Sequence, residues 1–160
     1  MIKEYLAKCY KLAKGSPDPS NQNGAILIDD VGIIWGSGCN KFPEGIEVTE
    51  ELLNDREKKL FYIEHAERNA IFNRARNGNT SELMMICPWF ACSDCARAII
   101  LSGIKKVTGH QERMDMTPDR WKASVAAGLK MLTDCGVELE FWSGKVGCEP
   151  IKVNGELWYP

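Results

Sequence analysis

A chain of 160 residues, 44% hydrophobic and 26% charged, fits one domain around one substantial core and has the balance of an ordinary globular protein. A formal net charge of -2 argues against the strongly basic surface of a dedicated nucleic-acid binder, though a local basic patch could hold one phosphate group, so no nucleic-acid partner is expected. No apolar run approaches the roughly 20 residues that cross a bilayer, and Met1-Ile2-Lys3-Glu4-Tyr5 lacks a signal-peptide core, so no membrane partner is expected and the cytoplasm is the expected compartment.

Ile2, Tyr5, Leu6, Cys9, Leu12 and Ala13 recur at helical spacing, and the turn formers from Gly15 to Asn21 end that helix. Ala25 to Ile28 reads as a strand, Asp29 to Gly32 as a turn, and Ile33 to Cys39 as the hairpin partner. After a loop from Asn40 to Gly45, the polar stretch from Ile46 to Lys59 reads as a solvated, partly helical insert. A helix follows from His65 to Arg76, then a short buried central strand from Leu83 to Cys87 that Pro88 ends. Ala91 to Ser102 is the next helix, Ile104 to Thr108 the next strand. Thr117-Pro118-Asp119 marks a helix start with proline at the first helical position, running to about Cys135, and Val137 to Trp142 is the last strand. Asn154-Gly155 then signals a small hairpin in the tail.

Strands joined by a crossover helix lie parallel, whereas the first two form an antiparallel hairpin. The expected fold is therefore a three-layer α-β-α arrangement, a mixed five-stranded sheet whose last strands are parallel, over residues 1–142, with 143–160 as a tail. In such sheets the site lies beyond the strand carboxyl ends, where helices begin.

Two pieces of sequence meet that description. His65-Ala66-Glu67 and Cys92-Ser93-Asp94-Cys95 both stand at expected helix starts. Cys92 and Cys95 are about one helical turn apart, so both sulfurs reach one metal from one face. With His65 they make a three-ligand zinc site that keeps a fourth position for water, as catalytic zinc does. Glu67, two residues from the ligand His65, is placed to move protons rather than to bind metal. A structural site closes with four ligands, and the sole other histidine is His110. The remaining cysteines, at 9, 39, 87, 135 and 148, lack ligand spacing and are expected to be small buried hydrophobes.

The H-x-E and C-x-x-C pair matches the signature of zinc-dependent nucleobase deaminases. Four stretches make the resemblance narrower: Ser16 to Ala25, Gly38 to Gly45, His65 to Ile71 and Trp89 to Ala96. Over about residues 1–142 the chain resembles the deoxycytidylate (dCMP) deaminase branch of the cytidine deaminase superfamily. The resemblance implies hydrolysis of dCMP to dUMP and ammonia, with zinc on His65, Cys92 and Cys95 and Glu67 as proton shuttle. It implies that Asn40 contacts the sugar and that the backbone around Ala66 reads the base edge. It also implies a homohexamer activated by dCTP and inhibited by dTTP, with Mg²⁺ on the triphosphate, through a loop that includes Gly38, Asn40 and Lys41. Phe90 is a candidate to stack on the pyrimidine, alongside Trp89, and His110, Arg113 and Arg120 are candidates for the 5′-phosphate. Trp121, Trp142 and Trp158 read as packing residues. Ala91, Cys39, Lys41 and Met114 stand where the family has proline, tyrosine, glycine and tyrosine. Lys41 either strengthens triphosphate binding or blocks a close backbone approach. The alternatives to dCMP deamination are deamination of another free cytosine nucleotide such as dCTP, and a zinc-stabilised nucleotide sensor.

Overall fold

The apolar stripe near the amino terminus becomes α1 (Ile2–Ala13), which buries Leu6, Cys9, Tyr10 and Ala13. The computed structural model describes residues 1–160. Strand β1 (Gly24–Ile28) is buried along its whole length and pairs antiparallel with β2 (Ile34–Cys39). In β2, Gly36 and Gly38 lie under a later helix so closely that a Cβ at either would come within 2.8 Å of Ala70 backbone atoms.

The insert is more ordered than its polarity suggests. It forms two short helices, α2 (Glu50–Asn54) and α3 (Arg56–Tyr62). Thr49 Oγ1 accepts from the Leu52 N–H at 3.1 Å and Asp55 Oδ1 from the Lys58 N–H at 3.0 Å, so each helix carries its own N-cap. There follow α4 (Ala66–Ala75), β3 (Met84–Ile86), α5 (Ser93–Leu101) and β4 (Lys106–His110). A short α6 (Gln111–Asp115), which has no periodic apolar pattern to announce it, leads to α7 (Asp119–Asp134) and β5 (Glu138–Trp142). Pro118 is the N-cap of α7 rather than its first helical residue.

The five strands form one sheet in the order β2-β1-β3-β4-β5. β1 runs antiparallel to both its neighbours, while β3, β4 and β5 are mutually parallel, as crossover helices require. Because successive strand residues face opposite sides, β1 divides between two cores. Ala25 and Leu27 join the core under α4, α5 and α7, with Met85, Val107 and Leu132. Ile26 and Ile28 face the core formed by α1 and the chain terminus, with Leu6 and Tyr10.

The tail completes that second core. Its strands β6 (Ile151–Val153) and β7 (Glu156–Trp158) form the hairpin signalled by Asn154-Gly155. Val146, Ile151 and Val153 are buried among the α1 side chains. The hairpin also clasps the loop after α1. The Gln22 N–H donates to Lys152 O at 2.9 Å, the Gly155 N–H to Ser20 O at 2.8 Å, and the Asn154 N–H to Asn21 Oδ1 at 3.1 Å. The expectation that all five non-motif cysteines are buried holds for Cys9 and Cys87 alone. Cys39 and Cys148 are half-buried, and Cys135, the C-cap of α7, is exposed.

Candidate active site

His65 and Cys92 are the N-cap residues of α4 and α5, both in extended backbone conformation. Cys95 sits in the first turn of α5, so one helix start presents both thiols. The three donor atoms lie within 4.8 Å of one another, and His65 Nδ1 is 3.5 Å from each sulfur. A tetrahedral zinc with Zn–N of about 2.0 Å and Zn–S of about 2.3 Å places nitrogen and sulfur ligands about 3.5 Å apart. The donors therefore fit zinc as they stand. His110, the other histidine, cannot complete a four-ligand site: it is buried elsewhere, bonded to the Tyr10 hydroxyl and to Gly144 O.

The surroundings favour thiolate at Cys92. Hydrogen bonds from Cys95 and His65 lower the pKa of Cys92 to about 4. Cys95, the donor in that pair, is raised by the same hydrogen bond and by burial. Arg68 Nη1 lies 3.5 Å from Cys95 Sγ, and Glu64 holds this guanidinium with Oε1 2.5 Å from Nε. Glu67 is 3% exposed, and burial pushes its pKa up to about 7. A carboxyl held near neutrality can accept and release a proton at working pH.

These groups open into one cavity. His65, Glu67 and Cys92 form its metal end. Asp18, Asn21, Asn23 and Asn40 line one side. There the Asn40 carboxamide ties two backbone segments together, accepting from the Asn23 N–H and donating to Asn21 O, each at 2.8 Å. Trp89, Phe90 and Trp121 supply an aromatic side. Trp121 stands edge-on to the His65 ring at 5.7 Å between centroids, and also to Trp89 at 6.3 Å. The insert adds Leu53, Arg56, Lys59, Leu60 and Ile63 to the lining. Lys59 Nζ bonds Asp18 Oδ1 at 2.9 Å in a buried ion pair that fastens α3 to the loop after α1.

Of the residues singled out in the sequence, Asn40, Ala66, Phe90 and Arg120 line this cavity together with the metal motif. Phe90 is 1% exposed and stacks on Phe141, so it is chiefly a core residue. His110 does not reach the cavity: it packs between Trp142 and Trp158 on the α1 side. Arg113 lies wholly buried behind the wall, its guanidinium carbon 4.4 Å from the Trp89 ring centre, with Nη2 donating to Asn21 Oδ1 at 3.0 Å. Its Nε and Nη1 have no partner, and burial lowers its pKa to about 10. Gly38 is a packing residue of β2 beneath α4. Lys41 is exposed, its backbone paired with Glu64 beside the His65 motif. Sequence reading missed Lys59, Arg56 and Asp18, because a charged insert looks the same whether it folds over a cavity or into solvent. It also took Trp121 for packing, although the α7 periodicity gives no sign of its contact with His65.

Residues 1–111 match the family model for the cytidine and deoxycytidylate deaminase zinc-binding region. Mouse deoxycytidylate deaminase is 34% identical over 110 residues, which is 64% of this chain and 60% of that protein. The human deoxycytidylate deaminase is 33% identical with the same coverage, so the chain spans 60% of the length of these curated relatives. A protein of Aliivibrio fischeri described as an uncharacterized deaminase in the luxG 3′ region is 29% identical over 143 residues, covering 87% of this chain and 94% of its own length. Among solved structures, dCMP deaminase from cyanophage S-TIM5 in its apo form superposes with a TM-score of 0.68 at 25% identity, over 88% of this chain and 97% of that one. Its complex with dCMP and dUMP gives 0.67. The mixed sheet described above is the α/β fold of those structures.

Proposed function

We propose that this chain, which belongs to the cytidine and deoxycytidylate deaminase zinc-binding family, hydrolyses dCMP to dUMP and ammonia. The observation that carries this reading is the convergence of His65, Cys92 and Cys95 with the buried Glu67 at one end of a single cavity. The cyanophage structure with dCMP and dUMP supports the choice of nucleotide.

His65, Cys92 and Cys95 would hold the zinc. When bound, it supplies the Lewis acidity that makes water nucleophilic at neutral pH. Glu67 takes the proton that the attacking water gives up, passes it to ring N3 of the cytosine and then protonates the leaving amine. The C4–O bond forms as N3 is protonated; the C4–N bond breaks afterwards, as Glu67 relays the remaining hydroxyl proton to the amine, so that dCMP plus water becomes dUMP plus ammonia. Trp121 and Trp89 close the aromatic side and exclude bulk water. Asn40 holds the loop carrying Asn21 and Asn23 against the cavity and offers its remaining amide valences to the sugar.

The reading extends to regulation by analogy with the resemblance of the Gly38–Gly45 loop. On it, dCTP with Mg²⁺ activates and dTTP inhibits a cytoplasmic homohexamer, with Gly38, Asn40 and Lys41 near the effector. Zinc-loaded protein mixed with dCMP should lose cytosine absorbance, and Glu67→Gln should bind one zinc per chain yet turn over about 10²- to 10⁴-fold more slowly. Persistent cytosine absorbance in the wild type, with and without dCTP and Mg²⁺, refutes the reading. A preference for dCTP over dCMP would reassign the substrate.

A further inference from the structure

The turn of the carboxyl-terminal hairpin directs its free hydrogen-bond donors at the cavity wall. Asn154 and Gly155 stand between the paired residues Val153 and Glu156 with φ of 52° and 86°, the backbone of a type I′ turn. The closing pair makes the ladder hydrogen bonds, so the N–H groups of the two turn residues have no partner within the hairpin. Both donate instead to the loop after α1, Asn154 to Asn21 Oδ1 at 3.1 Å and Gly155 to Ser20 O at 2.8 Å. Beside them Gln22 and Lys152 exchange two bonds, the Gln22 N–H to Lys152 O and the Lys152 N–H to Gln22 Oε1, each at 2.9 Å. The turn is pinned where it stands. Ile151 and Val153 are buried against α1, and a slip of one residue would turn both out of that core. Asn154 Nδ2 also donates to Met116 O at 3.1 Å.

Ser20, Asn21 and Asn40 line the cavity, and Asn21 is where the links converge. Its Oδ1 accepts from Arg113 Nη2 at 3.0 Å as well as from the Asn154 N–H, and its backbone O accepts from Asn40 Nδ2 at 2.8 Å. We propose that the carboxyl-terminal hairpin is a positioning element for nucleotide binding, and that Asn21 is the positioning residue through which it holds Asn40. The proposal rests on the nucleotide reading above and extends it to residues 143–160, which lie outside the residues 1–111 matched by the family model. Two donors from separate elements, α6 and the hairpin, fix Asn21 Oδ1 and with it the loop whose carbonyl Asn40 grips. Without the hairpin's share, binding must order that loop and Asn40 at the moment the ligand arrives, which lowers affinity. His65, Glu67, Cys92 and Cys95 are held by α4 and α5 and keep their places. The hairpin therefore acts on affinity and leaves the chemical step alone.

The test perturbs the turn, which does not line the cavity, in the zinc-loaded full chain. Asn154→Ala combined with Gly155→Ala strains both left-handed positions and removes the bond to Met116 O. Calorimetric affinity for dUMP should fall about 5- to 10-fold and KM for dCMP should rise by the same factor, with kcat within about twofold of wild type. The Asn23 and Asn40 amides should exchange about 10-fold faster, and those at the starts of α4 and α5 should not change. Asn21→Ala should reproduce the loss of affinity. Asn21→Asp keeps an acceptor for Arg113 and Asn154 and should recover most of what Asn21→Ala loses, which neither a direct amide contact to the nucleotide nor a general loss of stability would allow. Unchanged exchange at Asn23 and Asn40 in the turn variant overturns the proposal, whatever the ligand does. So do wild-type dUMP affinity in that variant, a fall in kcat as large as the rise in KM, and an Asn21→Asp protein as weak as Asn21→Ala. A wild type that fails to deaminate dCMP while the binding and exchange pattern holds refutes the deaminase reading and leaves the coupling standing.

Discussion

Gly128 is where helix α7 presses on the metal motif. A Cβ built there would stand 2.2 Å from Ala91 O and 3.2 Å from Cys92 O. Neither oxygen belongs to a side chain that can swing aside. Cys92 O also accepts the Ala96 N–H at 2.9 Å, the first hydrogen bond of α5. To restore van der Waals contact in Gly128→Ala, α7 and the Ala91–Cys92 segment must separate by roughly 1 Å. Alanine itself favours a helix interior by about 1 kcal/mol over glycine, and overpacking a filled contact costs about 1–3 kcal/mol. Because the clash is with backbone, the cost should fall at the upper end of that range. A net loss of about 1–2 kcal/mol is expected in denaturant unfolding of the metal-free protein. The displaced Cys92 also loses its alignment with His65 and Cys95, so zinc affinity in a chelator competition should fall about 10-fold or more. A variant that gains about 1 kcal/mol and holds zinc as the wild type does would show that α7 does not bear on the motif.

The other perturbations probe what surrounds the metal and what holds the cavity. Arg68→Met removes the cation 3.5 Å from Cys95 Sγ and should weaken zinc binding about 10- to 100-fold in the same competition, with little change in the unfolding midpoint of the metal-free protein. Lys59→Met leaves Asp18 buried without its counter-charge, and about 3 kcal/mol of stability should disappear from the urea midpoint. Adding Asp18→Asn should recover much of that loss, and a double variant no better than the single one would contradict the pairing. Deletion of residues 144–160 exposes the α1 side of the core and frees the Ser20–Gln22 loop, so hydrogen exchange should accelerate in both α1 and that loop. Protection that survives there would mean that the hairpin is dispensable.

The metal motif was legible because its information is local. A histidine followed two residues later by glutamate, and two cysteines one turn apart, can be read from spacing alone. The caps that orient them also follow from the strand-to-helix pattern, and β1's division between two cores follows from alternation. The rest of the site depends on distant partners. Lys59 and Asp18 meet across an interval of 41 residues, and nothing in the polar stretch around Lys59 distinguishes a buried ammonium from a solvated one. Trp121 has the spacing of a core residue on α7, and its contact with His65 joins α7 to the start of α4. His110 misled for the opposite reason. A histidine at a strand's carboxyl end suggests a ligand site, but in this chain α1 and the tail enclose it with Tyr10, Trp142 and Trp158.

The two ends of the cavity are therefore built on supports of different kinds. The metal end rests on helix starts packed over the central sheet, where Ala66, Cys95 and Ala96 are wholly buried. The opposite end rests on a loop and an insert held by a few polar links: Lys59 to Asp18, Asn40 to Asn21 and Asn23, and the tail to Ser20, Asn21 and Gln22. Opening the second end breaks an ion pair and several hydrogen bonds, whereas opening the first requires disrupting a close-packed core. Motion for nucleotide entry and exit should consequently be confined to the insert and the loop after α1, with the zinc ligands fixed. On the proposed reading, substitutions in residues 46–63 should alter ligand binding while leaving the positions of His65, Glu67, Cys92 and Cys95 unchanged.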